Sequence, residues 1–122
     1  MADHNDRGRE AESLSAEYLC SKGFQILHRN WRYFHKEIDI VAEKEGQLIF
    51  VEVKSCFGAG RVTADELISR GKQRFMVDAA EAYLCKYQLE KESRFDIIIV
   101  TSSGQGQSVE HIEGAFIPGI NW

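Results

Sequence analysis

The sequence has few cysteines, no long apolar run and no excess of basic residues, and each shortage excludes a class of protein. Its three cysteines, Cys20, Cys56 and Cys85, are widely spaced and include no C-x-x-C pair, so neither a disulfide framework nor a zinc site is expected. No run approaches the roughly 18 apolar residues of a membrane span, and the first residues lack the apolar segment of a signal peptide. We therefore expect a protein of the reduced cytoplasmic compartment without a membrane partner.

The charge balance argues mildly against a nucleic-acid binder but does not decide the question. Lys and Arg number 15 against 19 Asp and Glu, which gives a formal net charge of −4. Nucleic-acid-binding domains are usually basic. However, carboxylates gathered around a metal would lower the total without weakening a basic patch elsewhere. The four histidines show neither H-x-x-x-H spacing nor a Ser/His/Asp arrangement.

The length and composition predict one domain over residues 1–122. With 43% hydrophobic residues, the chain can bury a core of its own. Residues 1–8 are polar, and we expect them to be frayed. Residues 114–122 form an apolar tail that should be covered, either by docking on the sheet or in a homodimer contact.

Hydrophobic periodicity predicts an α/β order of helix, three strands, helix and strand. The first helix should run from about Gly8 or Arg9 to Lys22 and stop at Gly23, and Ser69 should cap a second helix from about Arg70 to Glu90. The remaining expectations are a strand or bent pair of strands at 24–34, a hairpin at 38–53, a short helical turn opened by a capping box at 63–66, a buried strand at 95–101, a loop at 102–108 and an edge strand at 109–112.

The hairpin brings charged residues together. If Glu45 and Gly46 form a two-residue turn, paired residues have numbers that sum to 91, so Asp39 lies opposite Glu52 and Glu37 lies opposite Lys54. Alternation then places Asp39 and Glu52 on one face. A Glu-Gly pair is not the preferred sequence for such a turn, and a longer loop would shift the pairing.

Carboxylates placed directly across a strand pair repel each other. A divalent cation would relieve this repulsion, because Mg²⁺ usually takes one or two carboxylates plus water from a protein. Without metal, at least one of the two pKa values should be raised unless Lys54 offsets the repulsion. The alternative is an ordinary half-solvated strand, in which charged and apolar residues also alternate.

Basic residues recur in two further segments. Aromatic and basic residues interleave at 28–36, a mixture that suits phosphate contact and base stacking, although a strand with its aromatic residues in the core would look the same. Cations near the start of the second helix oppose its dipole, which hints at an anionic partner. The candidate phosphate contacts are Arg29, Arg32, Arg70, Lys72 and Arg74. The Gly58-Ala59-Gly60 segment is better explained as a plain loop than as a phosphate cradle.

Several motifs together resemble a known family. These motifs are Gly8 and Glu12 with Tyr18-Leu19, Gly23-Phe24-x-Ile26-Leu27-x-x-Asn30-Trp31-Arg32, Glu37-Ile38-Asp39-Ile40, Phe50-Val51-Glu52-Val53-Lys54, Lys72-Gln73, Ala80-x-x-Tyr83-Leu84, Arg94-Phe95-Asp96 and His111-Ile112-x-x-Ala115-Phe116. An Asp on the second strand and Glu-x-Lys on the third resemble the PD-(D/E)xK nuclease superfamily. With the other motifs, the whole chain resembles the YraN-like family of uncharacterised bacterial proteins, which are similar to archaeal Holliday-junction resolvases.

The resemblance implies a three-layer restriction-endonuclease-like fold with an αβββαβ core and a central mixed sheet. It implies a site of Glu12, Asp39, Glu52 and Lys54, in which the three carboxylates bind Mg²⁺ or Mn²⁺ and the lysine positions or activates the attacking water. Without the resemblance, Glu12 would be read as an ordinary first-turn acid that complements the helix dipole.

The expected function is metal-dependent cleavage of DNA, including branched or nicked substrates. The chain departs from the family pattern at Ala11, Lys36 and Cys56, which affects the expected substrate contacts more than the metal ligands. Two alternatives remain: a nucleic-acid-binding module of the same fold that does not cut, and a protein-interaction subunit.

Overall fold

The computed structural model describes residues 4–57 and 68–119. Within that part of the chain, five strands form one mixed sheet in sequence order, with β3 and β4 parallel and every other neighbouring pair antiparallel. Two helices complete the described elements. Their order is α1 (His4–Ser21), β1 (Gln25–Tyr33), β2 (Lys36–Lys44), β3 (Gln47–Phe57), α2 (Arg70–Lys86), β4 (Ser93–Ser103) and β5 (Gly106–Ile112).

The sheet is buried on both faces, which gives the expected three-layer α/β architecture. On one face, Ala11 and Leu19 of α1 pack on a cluster that includes Ile49 and Val51. On the other face, α2 contributes residues at helical spacing to a cluster around Phe50. These residues are Met76, Ala79, Ala80 and Tyr83. The predicted fold class is therefore confirmed.

The hairpin between β2 and β3 has the predicted register as far as Ile40 with Val51, whereas the predicted pairs of Asp39 with Glu52 and of Glu37 with Lys54 are not part of the described ladder. Glu45 and Gly46 form its two-residue turn with φ values of 53° and 80°, so Glu45 adopts the left-handed conformation despite its Cβ. The pairs run from Lys44 with Gln47 to Ile40 with Val51, and every pair sums to 91.

Both helices differ from their predicted limits. The first begins at His4, so part of the stretch predicted to be frayed is helical, and it ends before Gly23, which has a φ of 90°. The second begins at Arg70, with the hydroxyl of Ser69 accepting a hydrogen bond from the Lys72 amide at 3.1 Å, as predicted. It ends at Lys86 instead of Glu90.

The early end of α2 has a local cause. Gln88 takes the left-handed conformation, with a φ of 54°. The Leu89 amide donates to the Leu84 carbonyl at 2.9 Å, and the Gln88 amide donates to the Cys85 carbonyl. This is a Schellman motif, built here on glutamine instead of the usual glycine.

The C-terminal part of the sheet extends beyond its predicted limits. The segment predicted as a loop at 102–108 is mostly strand, because β4 and β5 pair as far as Ser103 with Gly106.

The tail docks on the sheet, which is one of its two expected arrangements. The Ala115 amide donates to the Phe95 carbonyl at 2.7 Å, and Phe116 stacks on Phe95 with ring centroids 4.9 Å apart.

Three sequence predictions fall outside the described residues: the loop at 58–60, the capping box at 63–66 and the end of the tail at 120–122. In the ranges 4–57 and 68–119, no helix is long and apolar enough to cross a membrane. All three cysteines are free thiols.

Candidate metal centre

The candidate site lies where β2 and β3 separate. Their backbone pairing ends at Ile40 and Val51, one residue short of Asp39 and Glu52. Beyond that point, the Val53 amide donates to the Asp39 carboxylate at 2.8 Å instead of to a backbone carbonyl. The side chain of Asp39 therefore takes the place of a strand partner for β3 and is held at the fork between the two strands.

The side-chain alternation of β2 shifts at the same place. Ile38 and Val41 both pack on the α2 side of the sheet, although residues three apart on a regular strand face opposite ways. Ile40, between them, packs on the α1 side. On the neighbouring strand, Asn30 has a φ of 53°. A local irregularity in both strands therefore surrounds Asp39, as is common next to functional sites.

The four residues predicted from the sequence meet in one cleft of about 470 Å³. β2 and β3 supply the acids and the lysine of the E-x-K motif, and α1 supplies the remaining acid from above the sheet. Residues lining the cleft include Glu12, Asp39, Glu52, Val53, Lys54 and Phe57. The sheet register and helix position thus bring together residues that are up to 42 positions apart in the chain.

The Asp39 carboxyl strongly favours its protonated form. Burial is the largest cause, and the neighbouring Glu52 carboxyl adds both hydrogen bonding and charge repulsion, so that the pKa of Asp39 rises from 3.8 to about 8. The hydrogen bond from the Val53 amide opposes the rise, and the charge of Glu12 adds a further small increase. This confirms the expectation that clustered carboxylates without metal raise a pKa.

Glu52 is deeply buried, with 6% of its surface exposed. Its Oε2 lies 3.1 Å from the ammonium of Lys72 on α2, as an ion pair. The two groups lack the alignment of a hydrogen bond, so this buried oxygen has no hydrogen-bond partner. The Lys72 ammonium supplies the opposite charge that this buried carboxylate needs. The structure therefore places Lys72, predicted as a phosphate contact, beside an acid of the site.

Glu12 lies at the rim of the cleft. Its half-buried carboxylate accepts a hydrogen bond from the Asn30 side-chain amide at 3.0 Å. Asn30 thus links the first helix to the irregular point of β1, directly beside Asp39. This link was not predicted, because Asn in the left-handed conformation gives no periodic signal in the sequence.

The other candidate phosphate contacts lie outside the cleft. All four are exposed; the Arg29 guanidinium donates to the Ser13 hydroxyl at 3.3 Å, and the Arg32 guanidinium is 3.9 Å from the Glu37 carboxylate. Arg70 and Arg74 belong to the first turns of α2, the helix that also carries Lys72. The structure therefore does not bring these four arginines into the cleft.

The donor set fits a hard divalent cation. In the described ranges, no group of three or more His, Cys, Asp or Glu side chains could hold a metal ion by itself. Two carboxylates with water completing the shell suffice for Mg²⁺, and Asp39 and Glu52 supply them. The raised pKa of Asp39 indicates a place that gains stability when positive charge is added.

Comparison with known proteins places the chain in a family. A model of the Uncharacterised protein family UPF0102 matches residues 11–100, well over half of the chain. The chain belongs to the UPF0102 family. The matched region of the UPF0102 family includes all four predicted site residues and Lys72, and the match confirms the resemblance to this bacterial family.

Individual UPF0102 proteins align over almost their whole length. The UPF0102 protein of Phocaeicola vulgatus is 40% identical over 120 residues, covering 98% of this chain and 99% of the relative. That of Parabacteroides distasonis is 40% identical over 116 residues, covering 95% and 96%. That of Flavobacterium psychrophilum is also 40% identical over 116 residues, covering 95% and 98%. The family description names no activity.

Proposed function

We propose that this protein is a metal-dependent nuclease that hydrolyses phosphodiester bonds in DNA, with Mg²⁺ or Mn²⁺ held by Asp39 and Glu52. The observation that carries the proposal is the pair of acids at the strand fork, where burial and the neighbouring Glu52 carboxyl raise the pKa of Asp39 to about 8. A protein gains no stability from such an arrangement, and perturbed acids in a cleft mark functional sites.

The four predicted site residues that line the cleft have separate roles in this proposal. Asp39, fixed by the Val53 amide, and Glu52 hold the cation, and Glu12, which lines the same cleft, contributes through water. When bound, the cation would lower the pKa of a water molecule and stabilise the charge on the phosphate oxygens. Lys54 orients the attacking water or neutralises charge on the phosphate. The exposed arginines of β1 and α2 hold the DNA backbone.

A second candidate function is favoured by the ion pair between Lys72 and Glu52. If the Lys72 ammonium permanently supplies the positive charge that Glu52 needs, the site requires no divalent cation. The protein would then keep the fold and bind nucleic acid without cutting it. The two functions differ in whether a metal can replace the lysine at Glu52.

The test compares wild type with Glu52→Gln on labelled duplex, flap and four-way-junction DNA in Mg²⁺ or Mn²⁺. Glutamine keeps the size of glutamate but removes the charge that holds a hard cation. We expect cleavage to fall by about two orders of magnitude or more. DNA affinity, measured without divalent metal, should change little or rise, because a negative charge near the phosphates is lost.

Glu43→Gln is the matched control. Glu43 lies on the same hairpin and forms an ion pair with Lys91, but it does not line the cleft. It should cut DNA as wild type does. If wild type and Glu52→Gln bind DNA and are equally inactive on every substrate, the nuclease proposal fails and the binding module replaces it. If neither binds, both proposals fail.

A further inference from the structure

The turn between β1 and β2 presents an aromatic ring to solvent at an unfavourable backbone position. Tyr33 pairs with Lys36, so Phe34 and His35 form a two-residue turn. Phe34 has a φ of 59° and 78% of its surface exposed. A positive φ at the first residue alone is the pattern of a type II′ turn, in which that position ordinarily takes glycine. The chain therefore holds a bulky, exposed ring where glycine would be less strained.

Aromatic and cationic side chains connect this ring to the candidate metal centre. The Lys72 ammonium, 3.1 Å from Glu52, lies 5.1 Å from the centre of the Phe75 ring. The Phe75 ring is 6.0 Å from the Tyr33 ring, and Tyr33 is 4.6 Å from Phe34. Phe34 is thus the exposed end of a continuous row of contacts that begins at the metal centre.

Basic side chains lie along this row of rings, although Lys72 is paired with Glu52 and Arg32 lies 3.9 Å from Glu37. The Lys36 ammonium lies 5.5 Å from the centre of the Phe75 ring, so that two lysines flank this ring. Arg32 donates from Nε to the Phe34 carbonyl at 3.2 Å and is exposed. Exposed aromatic rings beside basic side chains are the combination that binds single-stranded nucleic acid, because each base offers a flat face to a ring and each phosphate a charge to a cation.

We propose that Phe34 is a stacking platform for an unpaired base, so that the candidate centre takes DNA with exposed bases, as in single strands, flaps and branch points. This inference rests on the nucleic-acid-binding part of the proposed function and names its substrate class. Fully paired DNA offers such a face only at its ends, because its bases are stacked on each other. The strained turn of Phe34 is then a cost of presenting the ring, as backbone strain at functional sites often is.

The experiment measures binding without divalent metal, so that cleavage does not interfere. The probes are a short single-stranded oligodeoxynucleotide, the same chain with every base removed, and a blunt duplex, each carrying a fluorescent label. Wild type should prefer the chain with bases over the abasic chain of equal charge by about tenfold. A 2-aminopurine base in the first probe should also change its fluorescence on binding, which reports stacking in the unmodified protein.

Three substitutions separate stacking from other roles. Phe34→Gly should remove most of the preference for bases while keeping the affinity for the abasic chain, and its thermal stability should be unchanged or higher because glycine accepts the positive φ. Phe34→Trp should keep the preference. Phe34→Leu, which is apolar but has no ring face, should lose it. This pattern would exclude a general hydrophobic effect.

The inference is overturned if wild type shows no preference for bases, if Phe34→Gly keeps the preference, or if Phe34→Leu binds as Phe34→Trp does. It is also overturned if wild type is a dimer and Phe34→Gly a monomer, because the ring then contacts a second copy. A base preference without cleavage by any metal would refute the nuclease proposal alone. Cleavage with unchanged binding by Phe34→Gly would refute this inference alone.

Discussion

Two aspartates on either side of Val51 in the sheet have opposite environments. Asp96 pairs with Val51 across β3 and β4, is fully buried and has a complete set of partners. Arg94 donates to both of its oxygens at 2.9 and 2.8 Å, His111 donates at 2.7 Å, and the Gly114 amide donates at 3.0 Å. Asp39 is next to Ile40, which pairs with Val51 from the other side of β3. Its carboxyl group has one backbone donor, the Val53 amide, and it faces the Glu52 carboxyl.

The two pKa shifts reflect these environments. Burial by itself would raise the pKa of Asp96, but the hydrogen bonds from His111, Arg94 and Gly114 outweigh it and hold that pKa below its ordinary value. At Asp39 burial acts in the same direction and the Glu52 carboxyl reinforces it. The comparison indicates that Asp96 ties the tail and β5 to the sheet, whereas Asp39 is kept protonated beside a second acid at a cost in stability.

The largest expected effect is at Asp96. Asp96→Asn removes the negative charge and places an amide donor where Arg94 and His111 also donate. We expect the free energy of unfolding to fall by about 3 to 5 kcal/mol, as when one partner of a buried ion pair is removed. Urea unfolding at pH 7 measures this change.

Asp78→Asn is the control for that substitution. Asp78 is exposed on α2, so its replacement should change the free energy of unfolding by no more than about 0.5 kcal/mol. If Asp96→Asn lowers the free energy of unfolding as little as Asp78→Asn does, the hydrogen bonds of Asp96 do not stabilise the fold and the contrast with Asp39 is lost.

The sequence was sufficient for those parts of the site that depend on local rules. Turn position predicted the register of the hairpin as far as Ile40 and Val51, and this register brings β2 and β3 together next to Asp39 and Glu52. The boundary at Gly23 was also predictable, because the left-handed conformation favours glycine. The end of α2 was not, since Gln88 takes the same conformation without a residue that signals it.

Tertiary placement accounts for what the sequence did not show. The amide of Val53 reaches the Asp39 carboxylate only because the strand pairing stops at Ile40. Lys72 reaches Glu52 because the core face of α2 sets where the first turn lies over the sheet. Charge patterning pointed to a phosphate as the partner of Lys72 and gave no sign of Glu52, because the position of a helix over a strand has no local signal in the sequence.

The second-largest expected effect is at Asp39, where substitution should raise the free energy of unfolding instead of lowering it as at Asp96. Asn can still accept from the Val53 amide but cannot ionise, so Asp39→Asn removes the cost of keeping the carboxyl protonated. Since one pKa unit corresponds to about 1.4 kcal/mol, we expect the free energy of unfolding at pH 7 to rise by about 1 to 4 kcal/mol. Cleavage should be lost in the same variant, because the metal ligand is gone.

The pH dependence of that gain has a fixed sign. The folded protein retains the Asp39 proton up to about pH 8, whereas the unfolded chain releases it near 3.8, so wild-type stability falls as pH rises through this window. The gain from Asp39→Asn should therefore grow between these values and level off above them. The pKa of Asp96 is lowered from 3.8. Its contribution to the stability of the fold is therefore present above pH 3.8 and is lost as the pH falls below 3.8. A gain at Asp39 that does not change with pH would contradict the raised pKa.

The smallest expected effect is the stabilisation of the folded protein by Mg²⁺. It should depend on Asp39 and Glu52 and not on Asp96. A cation that binds only the folded protein at ten times its dissociation constant stabilises it by about 1.4 kcal/mol, which thermal unfolding would show as a rise of a few degrees. Because Asp39 must release its proton to bind the cation, the rise should be larger above pH 8 than at pH 6. Glu52→Gln should abolish it, whereas Glu43→Gln should keep it, and NaCl of equal ionic strength provides the control for screening. Equal shifts in wild type and Glu52→Gln would show that the cation binds elsewhere, and the strand fork would then hold two costly acids without the ligand that we propose for them.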